Sequence, residues 1–297
     1  MLKTNLKYFY TTIADGNMNT NKNFYPDYMT REDIKADFKE RRIKLGERLG
    51  FDGLKILTPI QKSRPNLSGK TEEEKIALLN KYNSMYEDGH SVFITNDMIY
   101  DYNDLYDLDI YADILMMDDS LRGVAFAYPV ADCPVIIAED KKNHVVSFAH
   151  CGGEYIDRDL PGQVIDSLYM NLDSNPSDIN VYIGPHALEE SFTYDTFPKF
   201  IRNEGNWVGC LREDNGLIHI NMDRAIMMQL YQRGVSLDNI NSVKLDTITN
   251  PMFYSNNRAR FDKNKAGRFY TGCFYDEVNI KTLCKTLDYS FEKKSRI

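Results

Sequence analysis

A mixed α/β fold is predicted for this 297-residue chain by two features of its sequence. Four near-continuous apolar runs crowd the centre, between Ala112 and Ala149, and capped stretches of helical periodicity stand before and after them. Runs that are apolar at successive positions belong to strands covered on both faces, whereas a sheet with one wet face alternates. The four runs are Ala112–Met117, Gly123–Val130, Pro134–Ala138 and His144–Ala149.

The remaining elements follow in order. Phe9 to Thr12 reads as a short opening strand that runs into a loop at Asp15-Gly16. Thr30 is placed to cap a helix, with Asp33 at the capping-box position. Ile34, Phe38, Ile43, Leu45 and Leu49 supply its apolar stripe, and Gly50 ends it. Leu54–Thr58 is a strand closed by Pro59. Beyond it lies a polar insertion at about 62–89, carrying one helix across Thr71–Tyr86 with Thr71 as cap and Glu74 three positions on. After the four central strands come a Pro161–Met170 helix with proline in its first turn, an Ile179–Ile183 strand stopped by Gly184-Pro185, an Asn221–Arg233 helix ended by Gly234, and an Ile240–Leu245 strand. No internal repeat or long linker divides the chain, so residues 1–297 are expected to form one domain.

Composition narrows the function. Apolar residues make up 42% and charged residues 27%, a folded composition, and the net charge of -8 argues against a nucleic-acid surface. No apolar stretch approaches a membrane span, and the amino-terminal residues lack the apolar region of a signal peptide. Five cysteines, at 133, 151, 210, 273 and 284, form no close pair; free thiols suit a reducing compartment, and the chain is expected to be cytoplasmic, as a monomer or homodimer.

Chemistry concentrates in Ala131-Asp132-Cys133-Pro134 and Ala149-His150-Cys151-Gly152. Each follows an apolar run, so a thiol and an imidazole stand where strands end. With His90 they make either a three-ligand metal site with an open position or, without metal, a thiolate nucleophile and its histidine base. Asp132 is placed to orient an imidazole or to support a metal ligand. His186, behind Gly184-Pro185, is a candidate for the pocket lining. Arg258 and Arg268 are candidates for an anionic part of the substrate. Each has a plainer alternative: a cysteine as a small core residue, a histidine with structural partners, an arginine on the surface.

The order of these segments resembles the YfiH family, also called DUF152 or the multicopper polyphenol oxidoreductase (laccase) family. The likeness runs from Phe9-Tyr10-Thr11-Thr12 through the helix at Arg41–Gly50, Ala112-Asp113, the two segments at Cys133 and His150, Ile183-Gly184-Pro185, Asn221–Gly234 and Asp246-Thr247, to Phe253-Tyr254-Ser255 and Gly267-Arg268. The resemblance implies an α/β/β/α layered fold with mixed sheets and a zinc site of His, Cys and His, on which Cys133 and His150 match the second and third ligands. The family's first ligand sits in a Gln-x-His-Gly segment; here Gln61-Lys62-Ser63 stands at that point, and His90 is the available substitute. The resemblance also implies action on purine nucleosides, by phosphorolysis of adenosine, inosine or methylthioadenosine, or by adenosine deamination. Copper and a polyphenol oxidase activity fit less well, because one three-ligand site does not supply the several coppers that reduction of dioxygen requires. The family's His-Ala-Gly-Trp-Arg-Gly segment reads His150-Cys151-Gly152-Gly153-Glu154-Tyr155 here, with a carboxylate in place of the arginine. The alternatives are a metal-independent cysteine hydrolase using Cys133 and His150, and a non-catalytic nucleoside-binding protein.

Overall fold

The computed structural model describes residues 5–61, 70–77, 91–261 and 266–276. Helix α1 (Arg31–Leu49) starts as its cap predicts: the Thr30 side chain accepts from the Asp33 amide at 3.1 Å, and the Asp33 carboxylate accepts from the Thr30 amide at 2.9 Å. Gly50 ends it in the left-handed region at φ 87°, which costs glycine little. The buried face differs from the predicted stripe at one position. Ile43 is exposed, while Arg42 is buried and holds Asp104 through two bonds, at 2.8 and 2.7 Å, with its guanidinium packed on Phe38 and Tyr106. A charge so enclosed is tolerable because its partner and the ring faces replace water.

Strands β1 (Leu6–Tyr10), β2 (Ile56–Leu57), β5 (Ala125–Val130) and β13 (Phe269–Tyr275) form one sheet in the order β1-β13-β5-β2. Its outer face packs on α1 through Phe9, Ala125, Ala127 and Tyr270 against Phe38 and Leu45. A second, six-stranded sheet contains β3 (Ser91–Phe93), β4 (Ile114–Asp118), β6 (Val135–Asp140), β7 (Val145–His150), β8 (Ile179–Ile183) and β12 (Ile240–Ser242), in the order β12-β8-β6-β7-β4-β3. The inner faces of the two sheets meet through Phe126, Tyr128 and Phe269 on one and Leu115, Ile137 and Phe148 on the other. Tyr128 and Phe148 stack at 4.8 Å.

The outer face of the six-stranded sheet is covered by helices α2 (Leu160–Leu172) and α3 (Met222–Gln232), with Val164, Ile165, Leu168, Ile226 and Leu230 on Ile136, Ala149 and Ile183. The result is the α/β/β/α layering expected, and every residue of β6 is buried, as its unbroken apolar run requires. A third sheet, β9 (Thr193–Tyr194), β10 (Leu211–Asp214) and β11 (Leu217–Ile220), was not anticipated, nor was β13. Among the described residues no helix is long and apolar enough to cross a membrane. Within the polar insertion, residues 72–77 are helical behind the expected Thr71–Glu74 cap; residues 62–69 and 78–90, including Ser63 and His90, lie outside the described residues.

Candidate functional site

The two sheets exchange the chain at residues 131–134, between β5 and β6, and Cys133 stands on that crossing. Because β6 and β7 are antiparallel with Val135 opposite His150, the start of one and the end of the other share an edge. A final bond, from the Cys151 amide to the Pro134 carbonyl at 2.8 Å, extends the ladder to the turn. Thiol and imidazole therefore meet. A methyl group built on Gly152 would stand 3.2 Å from Cys133 Sγ and 3.5 Å from His150 Nε2, so both atoms face one small space beside a glycine.

The imidazole is held by Gln61. Its Nε2 donates to the His150 carbonyl at 3.0 Å, which fixes the amide's orientation and turns Oε1 to the ring, where His150 Nδ1 donates to it at 2.6 Å. Nε2 of His150 is then the unprotonated nitrogen, and it faces the thiol. Gln61 reaches this point because Ile60 bridges Tyr111 just ahead of β4, whose Ile114 pairs with Ala149. The orienting role expected of Asp132 thus falls to Gln61. Replacing it with Leu removes both bonds in a side chain of similar length, and any metal held by the imidazole is then expected to bind about tenfold to a hundredfold more weakly, measured by competition with a chromogenic chelator.

Asp132 does something else. At φ 76° it aims its carboxylate into the chain segment that follows β12, accepting from Thr247 Oγ1 at 2.8 Å, Ser255 Oγ at 3.1 Å, the Asn257 amide at 2.7 Å and Asn257 Nδ2 at 3.2 Å. These four bonds tie the segment to the residue before Cys133. Arg258, expected to bind substrate, also serves the segment: Nη1 donates to the Asn250 carbonyl at 3.1 Å and Nη2 to that of Phe253. His186 is fully buried, with Nδ1 donating to the Gly184 carbonyl at 2.8 Å and Nε2 3.3 Å from Asp223 Oδ1. It lines a separate cavity of about 220 Å³ with Glu189, Asn221 and Lys244. Arg268, by contrast, is brought to the site. Its amide is fixed by Asn17 Oδ1 at 2.8 Å, its guanidinium lies 4.7 Å over the Phe24 ring, and its charge acts on both Cys133 and His150.

Electrostatics set the protonation of the pair. Burial, and then the Arg268 charge, hold His150 down to about 4, so the imidazole is neutral at pH 7. Burial pushes the Cys133 thiol up to about 12, the adjacent Asp132 carboxylate adding to the rise and Arg268 opposing it. A nucleophilic cysteine needs the reverse, a lowered thiol beside a proton-accepting imidazole. A cation bound here would take the proton's place on sulfur and would meet an imidazole nitrogen already free of its proton. The donor set, one thiolate and one imidazole, is of the type that zinc accepts. Among the described residues no third His, Cys, Asp or Glu joins the pair.

Aromatic rings wall the pair. Tyr128 and Tyr155 stand 5.6 and 5.9 Å from the imidazole centroid. Phe200 covers Gly153, lying 2.6 Å from where a Cβ would stand, so the tryptophan of the resembling segment has no room here. Tyr194 meets Phe200 edge-on at 6.0 Å. Tyr194 and Phe200 are reached only by tertiary proximity and carry no local signal; Gln61 does carry one, as the first residue of its segment.

A four-layered α/β/β/α protein with a thiol and an imidazole at adjoining strand ends is the class that fold and site define. The family model for multi-copper polyphenol oxidoreductase laccase matches residues 90–275, a span that holds His90, Cys133, His150 and Arg268, and the chain belongs to this family, the YfiH family. A purine nucleoside phosphorylase of Staphylococcus saprophyticus is 29% identical over 171 residues, covering 51% of this chain and 60% of its own. The chain thus spans about 60% of the length of the curated relative it matches. Among solved structures, YlmD from Geobacillus stearothermophilus superposes with a TM-score of 0.67 at 19% identity over 92% of each chain. The hypothetical protein YfiH of Bacillus licheniformis gives 0.64 at 17% identity, over 91% of this chain and 92% of its own. At these identities the two structures establish the fold.

Proposed function

We propose that this protein is a zinc-dependent enzyme that cleaves purine nucleosides with phosphate, Cys133 and His150 being two of the metal's ligands and His90 the third. The observation that carries the reading is the shared space over Gly152, into which a thiol and a neutral imidazole nitrogen both point. His90 lies outside the described residues. Ser91, which follows it, pairs with Ile114, and Ile114 with Ala149, so Ser91 is two strand spacings, roughly 10 Å, from the residue before His150. The purine nucleoside phosphorylase name of the Staphylococcus relative supports the substrate class.

When bound, zinc would act as a Lewis acid and lower the pKa of an attacking or leaving oxygen. The protein's own groups do the rest. Gln61 holds the imidazole in one tautomer and rotamer. Arg268 supplies positive charge beside the pair, and the rings of Tyr128, Tyr155 and Phe200 keep water from the imidazole and from Gly153. Glu154 puts a carboxylate where the resembling segment has an arginine, so hydrolysis or deamination of the same nucleosides is the second reading.

Incubation of metal-quantified protein with adenosine, inosine and methylthioadenosine, with and without phosphate, separates the possibilities. Free base plus ribose phosphate is expected, and only with phosphate present. Base plus ribose, or deaminated nucleoside, would move the assignment to the second reading; no product from zinc-replete protein would overturn both. Activity that survives complete chelation and dies on alkylation of Cys133 would instead identify a thiol hydrolase.

A further inference from the structure

His186 takes no part in the thiol–imidazole pair, and its own bonding is incomplete. Its Nδ1 donates to the Gly184 carbonyl at 2.8 Å, so in the neutral ring Nε2 is an acceptor, and this atom stands 3.3 Å from Asp223 Oδ1. Neither atom receives a hydrogen bond among the described residues, although His186 is fully buried and Asp223 is only 6% exposed. Two buried acceptors side by side call for a shared donor. Lys244 is not that donor, because its Nζ holds the other carboxylate oxygen, Oδ2.

Both acceptors line the cavity of about 220 Å³ described above. The carboxylates of Glu189, Glu190 and Asp223 stand around it against one lysine, and Arg212, which pairs with both glutamates, also meets Asp214. A donor that suits this space carries positive charge. A second cavity, of about 310 Å³, shares Asn221, Asp223 and Lys244 with the first, so the two adjoin. Its wall is apolar, built from Met227, Met228 and Tyr231 of α3 and from Leu237, and Tyr231 and Leu237 are exposed. Arg224 also lines it and makes no ion pair among the described residues. Residues 221–224 form the amino-terminal end of α3, whose partial positive charge favours an anion.

A ligand for the joined cavities needs a cationic donor, an anion close to it and an apolar body. We propose that they bind a free α-amino acid with an apolar side chain. Its ammonium donates to His186 Nε2 and Asp223 Oδ1, its carboxylate meets Arg224 at the end of α3, and its side chain lies on Met227, Met228, Tyr231 and Leu237. An ammonium has three N–H donors and so serves both orphaned acceptors at once, which a lone hydroxyl cannot. The assignment is independent of zinc and of nucleoside cleavage.

Calorimetric titration of the full chain with L-phenylalanine tests the site, using phenethylamine, phenylpropionate and glycine as probes that each lack one of the three parts. L-phenylalanine is expected to bind, phenethylamine about tenfold more weakly, and phenylpropionate and glycine without measurable heat. Asp223→Asn should weaken phenylalanine about tenfold to a hundredfold. Arg224→Gln, a change at an exposed position that leaves the fold alone, should weaken phenylalanine about tenfold and leave phenethylamine unaffected. Absence of saturable binding by phenylalanine would leave the space to water and overturn the assignment. Equal affinity for phenylpropionate, or phenylalanine binding that neither variant changes, would do the same. So would nitrogen NMR of the free protein showing a His186 ring protonated at both nitrogens, since that ring would satisfy Asp223 by itself.

Discussion

Cys133→Ala is expected to strip the chain of zinc and to lower phosphate-dependent nucleoside cleavage by about a thousandfold or more, the effect of deleting a ligand of a three-ligand centre. The variant should fold, since the residue keeps some surface and alanine leaves the turn between β5 and β6 unchanged. The pH dependence of metal binding reports the same residue. The thiol keeps its proton until about pH 12 and must release it to bind the ion, whereas His150, held down to about 4, has none to release above pH 5. From pH 7 to pH 9 the association constant of the wild type should therefore climb about tenfold per unit, one proton per ion bound. In Cys133→Ala it should be weak and nearly flat. A slope near zero in the wild type would mean that the thiol is not a ligand.

Asp132→Ala is expected to cost about 4 kcal/mol of stability, read as the shift in urea midpoint at constant slope. Four donors from Thr247, Ser255 and Asn257 lose their acceptor in a place that is 4% exposed. Alanine at φ 76° adds strain that aspartate and asparagine bear more easily. Asp132→Asn should therefore lose about half as much, keeping the backbone conformation and part of the bonding. Because the carboxylate ties down the residue preceding Cys133, metal affinity should fall along with stability. A variant that lost zinc while unfolding at the wild-type midpoint would assign Asp132 to the metal's surroundings instead.

The order of the layers was legible because the local signals and the tertiary structure agree. Thr30, Asp33 and Gly50 bound α1 as their side-chain chemistry dictates, and the unbroken apolar runs of β4 to β7 became the buried inner strands. Strand β13 was missed because Thr271 and Gly272 interrupt its apolar run. Gly272 is there for a tertiary reason, since a Cβ would stand 2.2 Å from the Phe126 carbonyl oxygen. The β10–β11 hairpin did carry a local signal, Asn215-Gly216, two residues with positive φ that form the turn.

The site was legible in its chain-neighbour chemistry and hidden in its long-range contacts. Cys133 and His150 could be placed at strand ends from sequence, and the antiparallel register of β6 and β7 brings them together. Asp132, His186 and Arg258 carry the residue types of a site but spend them on loop carbonyls, hydroxyls and one another's segments. Nothing in a sequence distinguishes a carboxylate that meets a hydroxyl from one that meets an imidazole. Gln61 and His150 are 89 positions apart and Tyr194 and Arg260 are 66 apart, so both pairings exist only in the folded molecule.

Crystals of zinc-loaded protein, measured on either side of the zinc absorption edge, test the central claim most directly. The account predicts one anomalous peak over Gly152, about 2.3 Å from Cys133 Sγ and about 2.0 to 2.1 Å from His150 Nε2, with the His90 imidazole as its third protein ligand. Zinc bound at some other place, with the space between Cys133 and His150 holding only water, would contradict it.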